Sequence, residues 1–447
     1  MDPRDPKQLV DYTKSLDCVH CGLCLNSCPT YRMTGVESSS PRGRIHLMRS
    51  LAEGAIEADA DYAEELDFCL LCRNCETVCP SGVQFGSLME HARGALEPVR
   101  ERTALQRLGR RVGFDLLLRD RASLRFVAVL GRAAQSAGLV RLASRIGGDA
   151  GRGLREAPTI PPAKERARLP EFTAAVGTRR GAVSLLEGCV MPELLGATNR
   201  ATVRVLASCG FDVHVARQHV CCGSLHAHNG ESAGARALAV ETLAAFDALT
   251  DADGAPLSLV VNSAGCGSHL KVLDHVFHGE PEHELRAKDL SRRTLDLTEF
   301  LTHGAGAVGL EALLARAHAR DTVSITWDDP CHLLHGQRIR REPRDILRRV
   351  PGVDLVEMDG AESCCGSAGI YSLLRPDDAA RVLDPKLEAL RATGASVLVT
   401  ANPGCQLQWV AGIRRAGLTV RVMHLAEVLD EFVVGPALNA LSPPEAR

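Results

Sequence analysis

The stretch CVHCGLCLNSCP, Cys18 to Pro29, places four cysteines at spacings of two, two and three residues and closes them with a proline. Thiols this close along one turn are badly placed to pair with each other and well placed to converge on one metal centre. A second copy, CLLCRNCETVCP, supplies Cys69, Cys72, Cys75 and Cys79 before Pro80. Both copies match the C-x2-C-x2-C-x3-C-P run of bacterial ferredoxins, in which three close thiolates wrap one cubane and the fourth reaches the other. The spacing predicts two [4Fe-4S] centres, one on Cys18, Cys21, Cys24 and Cys79, the other on Cys69, Cys72, Cys75 and Cys28. Zinc is the competing reading, but zinc knuckles use paired C-x2-C units. Gly22 permits close backbone approach in the first run. Arg73 stands at the equivalent position of the second, so that loop is expected to differ slightly.

Between the two runs, SSSPRGRIHLMRSLAEG (Ser38 to Gly54) predicts a helix with Ser or Pro at its start and Gly54 at its end. Arg42 and Arg44 would face a cluster, a partner or solvent.

The chain has 447 residues, too many for one core, so roughly two to four domains are expected. Seventeen cysteines are more readily metal ligands than disulfides if the compartment is reducing. The net charge of -3 gives no argument for nucleic acid. MDPRDPKQLVDYTK has no apolar region of the secretory kind, and no apolar run approaches a membrane span. A cytoplasmic location is the expectation.

The remaining cysteines fall into a repeat. Cys189 is followed by Cys221 and Cys222 in HVCCGS and by Cys266 in NSAGCGSH; Cys331 is followed by Cys364 and Cys365 in ESCCGSAG and by Cys405 in ANPGCQLQ. The order is one Cys, then Cys-Cys-Gly, then Asn-x-x-Gly-Cys, at a period of about 140 residues. AVSLLEG, FDVHVAR, LSLVVNSAG, VSITWDD and SVLVTANPG read as strands, with Ala-rich helices between them. That alternation predicts parallel α/β domains, with the cysteines in loops after the strands, where such folds bind ligands. These eight cysteines are candidate ligands of further clusters, since a multi-iron cluster accepts adjacent thiols; a vicinal redox disulfide or plain buried thiols are the alternatives. Gly223 and Gly366 relieve crowding beside each pair. Cys209 is left over and reads as a buried thiol at a helix end. His332 and His335, in CHLLHG, would tune a cluster by hydrogen bonds to sulfur.

GAGAVG, Gly304 to Gly309, formally matches a dinucleotide fingerprint. It follows TLDLTEFLTH, which reads as a helix, and the fingerprint follows a strand. A glycine-rich interdomain loop is expected instead. No other nicotinamide or flavin signature is present. Arg100 to Ala150 is basic, with eleven arginines against four acids. It reads as a helical connector with a solvated face, or as a surface for an anionic membrane or a partner. EAPTIPPAKERARLP (Glu156 to Pro170) reads as a Pro-rich linker.

Twin ferredoxin runs ahead of two Cys-Cys-Gly domains resemble the heterodisulfide-reductase-related iron–sulfur subunits. CVHCGLCLNSCPTY, ESSSPRGRI, DPCHLLHGQ, CCGSAG and NPGCQLQ are similar, within that group, to the iron–sulfur subunits of glycolate oxidase. The resemblance covers roughly Asp11 to the end. It implies an α+β multidomain chain: a helical two-cluster ferredoxin domain (1–95), a helical connector and linker (96–178), and two repeated α/β Cys-Cys-Gly domains (179–305 and 306–447). It implies a subunit of an oxidoreductase that carries electrons from FAD-binding dehydrogenase subunits, which oxidise glycolate to glyoxylate, toward quinone. Lactate, glycerol-3-phosphate and heterodisulfide or thiol systems are the alternatives. No hydroxy-acid active site, flavin or NAD is expected in this chain, and its place would be cytoplasmic or peripheral on the inner face of the membrane. In some relatives a fifth cysteine follows the last motif; here His269 and Gln408 stand at those positions.

Overall fold

Strands buried on both faces read as unbroken apolar runs, because helices cover a parallel sheet on each side. The computed structural model, which describes residues 9–145, 157–277, 279–318 and 320–435, follows that rule. The first sheet contains β1 (Phe172–Thr173), β2 (Gly181–Leu185), β3 (Phe211–Val215), β4 (Ser258–Val261) and β5 (Thr294–Asp296), in the order β1-β3-β2-β4-β5. Only β1 is antiparallel. The second contains β6 (Val323–Trp327), β7 (Val353–Val356), β8 (Val397–Thr400) and β9 (Arg421–His424), in the order β7-β6-β8-β9 and all parallel. The last three residues of β2, β4, β6 and β8 are buried.

The four parallel strands have the same order in both sheets: second, first, third, fourth. The cysteine repeat is therefore a repeat of fold. In each half the chain leaves the first strand to one side and then crosses to the other. The crevice this opens at the strand carboxyl ends is the ligand position of such sheets. Cys189, Cys221, Cys222 and Cys266 follow β2, β3 and β4 there; Cys331, Cys364, Cys365 and Cys405 follow β6, β7 and β8.

The N-terminal region is helical. Ser40 caps the helix Pro41–Ala52 by accepting from the Gly43 amide, with Pro41 in the first turn. In the helix Phe85–Leu96 the buried residues Phe85, Leu88, Met89, Ala92 and Leu96 recur at the helical period. They meet Ile45, Met48, Leu51 and Leu66 in one core, where each fully buried large side chain contributes about 1.5–3 kcal/mol.

Four expectations change. GAGAVG is not a loop: Gly304–Leu314 is a helix. A Cβ on Gly309 would lie 2.4 Å from the Cys209 carbonyl oxygen, and one on Gly306 1.9 Å from that of Phe300. The glycines serve close packing, and Leu310 and Leu313 carry the helix into a core shared by both sheets. The expected division at 305/306 falls inside this helix. TLDLTEFLTH begins as strand β5, and Asp296 then caps the short helix Leu297–Thr302 in a capping box with Glu299. The connector is helical, but the face it turns to solvent is apolar rather than polar. In the helix Arg121–Ser136 only Ala128 is buried, while Phe126, Val129 and Leu130 stand 65%, 46% and 54% exposed on one face. The opposite face is taken by the linker: Arg132 and Gln135 bond Ile160 and Pro158. Residues 146–150 of the basic segment and Glu156 of the linker lie outside the described residues.

Cys209 ends the helix Gly196–Ser208 and is fully buried, which pushes its thiol up to about 12.

Candidate functional site

The two ferredoxin runs interleave. One cavity of about 310 Å³ is lined by Cys69, Cys72 and Cys75 of the second run and Cys28 of the first. The other, about 290 Å³, is lined by Cys18, Cys21 and Cys24 of the first run and Cys79 of the second. Each run thus lends its last cysteine to the opposite cavity. Among the described residues no three His, Cys, Asp or Glu side chains close on one point as ligands of a single ion do. The thiols border spaces instead. Four soft donors around such a space fit a cubane cluster.

The two loops make the same left-handed turns at two matched positions. His20 and Gly22 in the first run have φ of 54° and 84°; Leu71 and Arg73 in the second have 52° and 63°. The expected difference lies just after Arg73, where Asn74–Thr77 forms a short helix while residues 23–27 of the first run form a turn. Arg73 holds the left-handed conformation while its guanidinium is pinned: it pairs with Glu76 at 2.8 Å and donates to Ser268 Oγ at 3.2 Å. At Gly22 a Cβ would lie 2.6 Å from Arg42 Nη1, so a side chain there would displace that guanidinium.

Arg42 and Arg44 both face cavities. Arg42 lines the first-run cavity and donates to the His20 carbonyl at 3.0 Å. Arg44 is fully buried against the other, donating to Ser39 O at 2.8 Å and Thr30 Oγ1 at 3.1 Å. Buried cations beside thiolate-ligated clusters offset their negative charge. Burial pushes the Cys75 thiol well up, so occupation must displace its proton.

In the first repeat Cys222 Sγ and Cys266 Sγ lie 3.0 Å apart. Hydrogen bonds from Cys189 and Cys222 hold Cys221 well below the usual thiol range and raise the two donors. In the second repeat Cys365 Sγ and Cys405 Sγ lie 3.2 Å apart, the Gly366 amide donates to Cys364 Sγ at 3.4 Å, and Asn402 donates to Cys405 Sγ at 3.4 Å. Gly223 and Gly366, with φ of 85° and 86°, make the same turn after each pair.

The second ferredoxin loop sits on the junction of both repeats. His332 Nε2 donates to the Leu71 carbonyl at 3.1 Å. His335 accepts from Thr77 Oγ1 at 2.9 Å and donates to Glu362 O at 3.0 Å. These histidines bond backbone and hydroxyl, not sulfur, and two of those bonds run to the ferredoxin region. Burial pushes His332 down to about 3 and His269 to about 4, so both rings are neutral at pH 7. His228 Nδ1 donates to Glu90 Oε1 at 2.8 Å across the same junction. Cys72 shares an apolar cluster with Cys364 and Cys331, which places the second-run cavity against the second repeat's thiols. The repeats also touch each other there: Ala264 N bonds Ala401 O, and Gly265 N bonds Asn402 Oδ1, both at 3.1 Å.

Lys386 escapes the motif reading. It pairs with Asp328 at 2.6 Å and donates to Ala361 O and Ser363 O, holding the Cys364–Cys365 loop from beneath. Burial disfavours its charge, but Asp328 outweighs this and raises it. A signal existed: Val382, Leu383, Lys386, Leu387 and Leu390 share the buried period of the helix Pro376–Thr393. A lysine on that stripe needs a buried partner.

Comparison with known proteins agrees with this geometry. A 4Fe-4S dicluster domain model matches residues 14–83, and a cysteine-rich domain model matches 183–271 and 325–409. The chain is 36% identical over 436 residues to the probable glycolate oxidase iron-sulfur subunit of Bacillus subtilis (strain 168), covering 95% of both chains. It belongs to the family of glycolate oxidase iron–sulfur subunits. The glycolate oxidase iron-sulfur subunit of Escherichia coli (strain K12) is 33% identical, covering 93% of both chains. Lactate utilization protein A of Geobacillus kaustophilus (strain HTA426) is 32% identical over 248 residues, 56% of this chain and 98% of that one. Iron–sulfur clusters are thus the cofactor class of this family member.

Crossed ligation makes one sharp prediction. Replacing Cys28 with Ser should perturb the cluster held by Cys69, Cys72 and Cys75, because Cys28 lines their cavity. EPR of the reduced variant should show that signal altered and the other intact. A change confined to the Cys18 cluster would refute the crossing.

Proposed function

We propose that this chain is the electron-transfer subunit of a flavin-dependent 2-hydroxy-acid dehydrogenase, with glycolate as substrate and glyoxylate as product. A partner flavoprotein oxidises the acid, and the electrons leave toward quinone. Two [4Fe-4S] clusters occupy the ferredoxin cavities, on Cys18, Cys21, Cys24 and Cys79 and on Cys69, Cys72, Cys75 and Cys28. Further clusters occupy the Cys-Cys-Gly sites, on Cys189, Cys221, Cys222 and Cys266 and on Cys331, Cys364, Cys365 and Cys405. When bound, such clusters supply one-electron transfer. The observation that carries the reading is that Cys72 and Cys364 belong to one apolar cluster with Cys331 packed against it, which supports donor sets arranged in series.

The domains of the proposed relay are ferredoxin to residue 95, connector to 178, and the two Cys-Cys-Gly domains after it, with the division between these two moved off the helix Gly304–Leu314. Among the described residues no helix is long and apolar enough to cross a membrane. A peripheral site on the inner membrane face is supported by the outward apolar face of Arg121–Ser136 and by exposed Arg107, Arg111, Arg125 and Arg141 nearby.

Lactate is the second reading, favoured by the similarity to lactate utilization protein A. The test is co-purification: tagged chain from its native host should bring down a flavoprotein whose flavin glycolate bleaches faster than lactate does. Pure, flavin-free chain should show no glycolate turnover, since oxidation of the acid releases a hydride equivalent and iron–sulfur centres take single electrons. Turnover by that preparation would refute the assignment.

A further inference from the structure

We propose that the His269 imidazole is a fifth protein donor to the cluster of the first Cys-Cys-Gly domain, so that two domains of one fold hold centres of unlike ligation. This rests on the reading above that these domains bind clusters.

His269 lies three residues after Cys266 in the helix Ala264–Leu270, so both side chains leave the same helix face. The residue is only 5% exposed, and its Nε2 has no hydrogen-bond partner. That nitrogen faces the thiol turn: a Cβ on Gly223 would lie 3.6 Å from it. Buried polar atoms without a partner are rare, and one aimed at a metal site is accounted for when it ligates. Imidazole suits iron.

The second repeat supplies the contrast. Gln408 holds the matching position after Cys405, and its amide donates to the Ala379 carbonyl at 3.5 Å. That carbonyl crowds the turn, since a Cβ on Gly366 would lie 2.5 Å from it. Gln408 is thus engaged by the protein, and the second site is left with its four thiols. A neutral imidazole adds no negative charge to the first centre, whereas a fifth thiolate would. The first centre therefore sits at a higher potential than a five-thiolate centre would.

The test uses the full chain, produced anaerobically with 57Fe and 15N-histidine. Wild type, His269→Gln, His269→Cys and His219→Gln are compared by iron and sulfide content, Mössbauer spectra and pulsed EPR. His269→Gln copies what the second repeat already carries. It should alter one iron environment and remove a 15N coupling, or lose the iron of one centre. His269→Cys should keep that iron without nitrogen coupling. An unchanged iron content and Mössbauer spectrum in His269→Gln would overturn the assignment. So would equal iron loss in the Gln and Cys variants, which marks the ring as packing, or the effect appearing in His219→Gln, whose ring is also unpartnered. Wild type with iron and sulfide for the two ferredoxin clusters alone would overturn the cluster reading of these domains, and this proposal with it. The iron count separates that failure from the others.

Discussion

Replacing both Cys364 and Cys365 with Ser should leave the partner flavin reducible by the hydroxy acid while electron delivery to the acceptor collapses. The two thiols lie 3% exposed beside Cys331 and Cys405, and Cys364 shares its apolar cluster with Cys72 of the ferredoxin region. Hydroxyls are poor donors to a soft iron site, so the centre proposed for the second repeat should be lost. Changes outside the ligand shell of metal sites cost about 10–100-fold in affinity or activity, and deleting two ligands should exceed that. The ferredoxin cavities use eight other cysteines, so their EPR signals should persist. Stopped-flow reduction of flavin and steady-state acceptor reduction, measured on the same complex, separate the two steps. Wild-type acceptor rates in the assembled variant would make this domain a purely structural element.

Lys386→Met should be the most damaging single change away from the cysteines. It strands the Asp328 carboxylate, 1% exposed, without its ammonium and frees the carbonyls of Ala361 and Ser363. Breaking one side of a buried pair costs about 3–5 kcal/mol, whereas neutralising both partners together is far cheaper. Hydrogen exchange over Ala361–Gly366 should accelerate accordingly in Lys386→Met and recover in the Lys386→Met, Asp328→Asn double variant. The lost positive charge should also lower the potential of the second-repeat centre, since Cys365 and Cys405 lie within its field. Exchange and potential both unchanged would mean that Asp328 finds another partner.

The cysteine spacing alone determined the interleaved pairs and the repeat. Ligand spacing is local chemistry, and strand runs buried on both faces leave a legible apolar signature at β2, β4, β6 and β8. GAGAVG misled because glycine's two uses, loop freedom and close packing, look identical in one dimension; only the neighbouring Cys209 and Phe300 backbones distinguish them. How Arg73 keeps a left-handed backbone was not legible either: its side chain is held by Glu76 and by Ser268, and the latter partner lies in another domain. The direction of Arg42 and Arg44, the bridging bonds of His332 and His335, the Lys386–Asp328 pair and the unpartnered Nε2 of His269 were all decided by tertiary structure. A side chain's donor or acceptor capacity is written in its residue type, but its partner is chosen by burial and by what packing brings within hydrogen-bond reach.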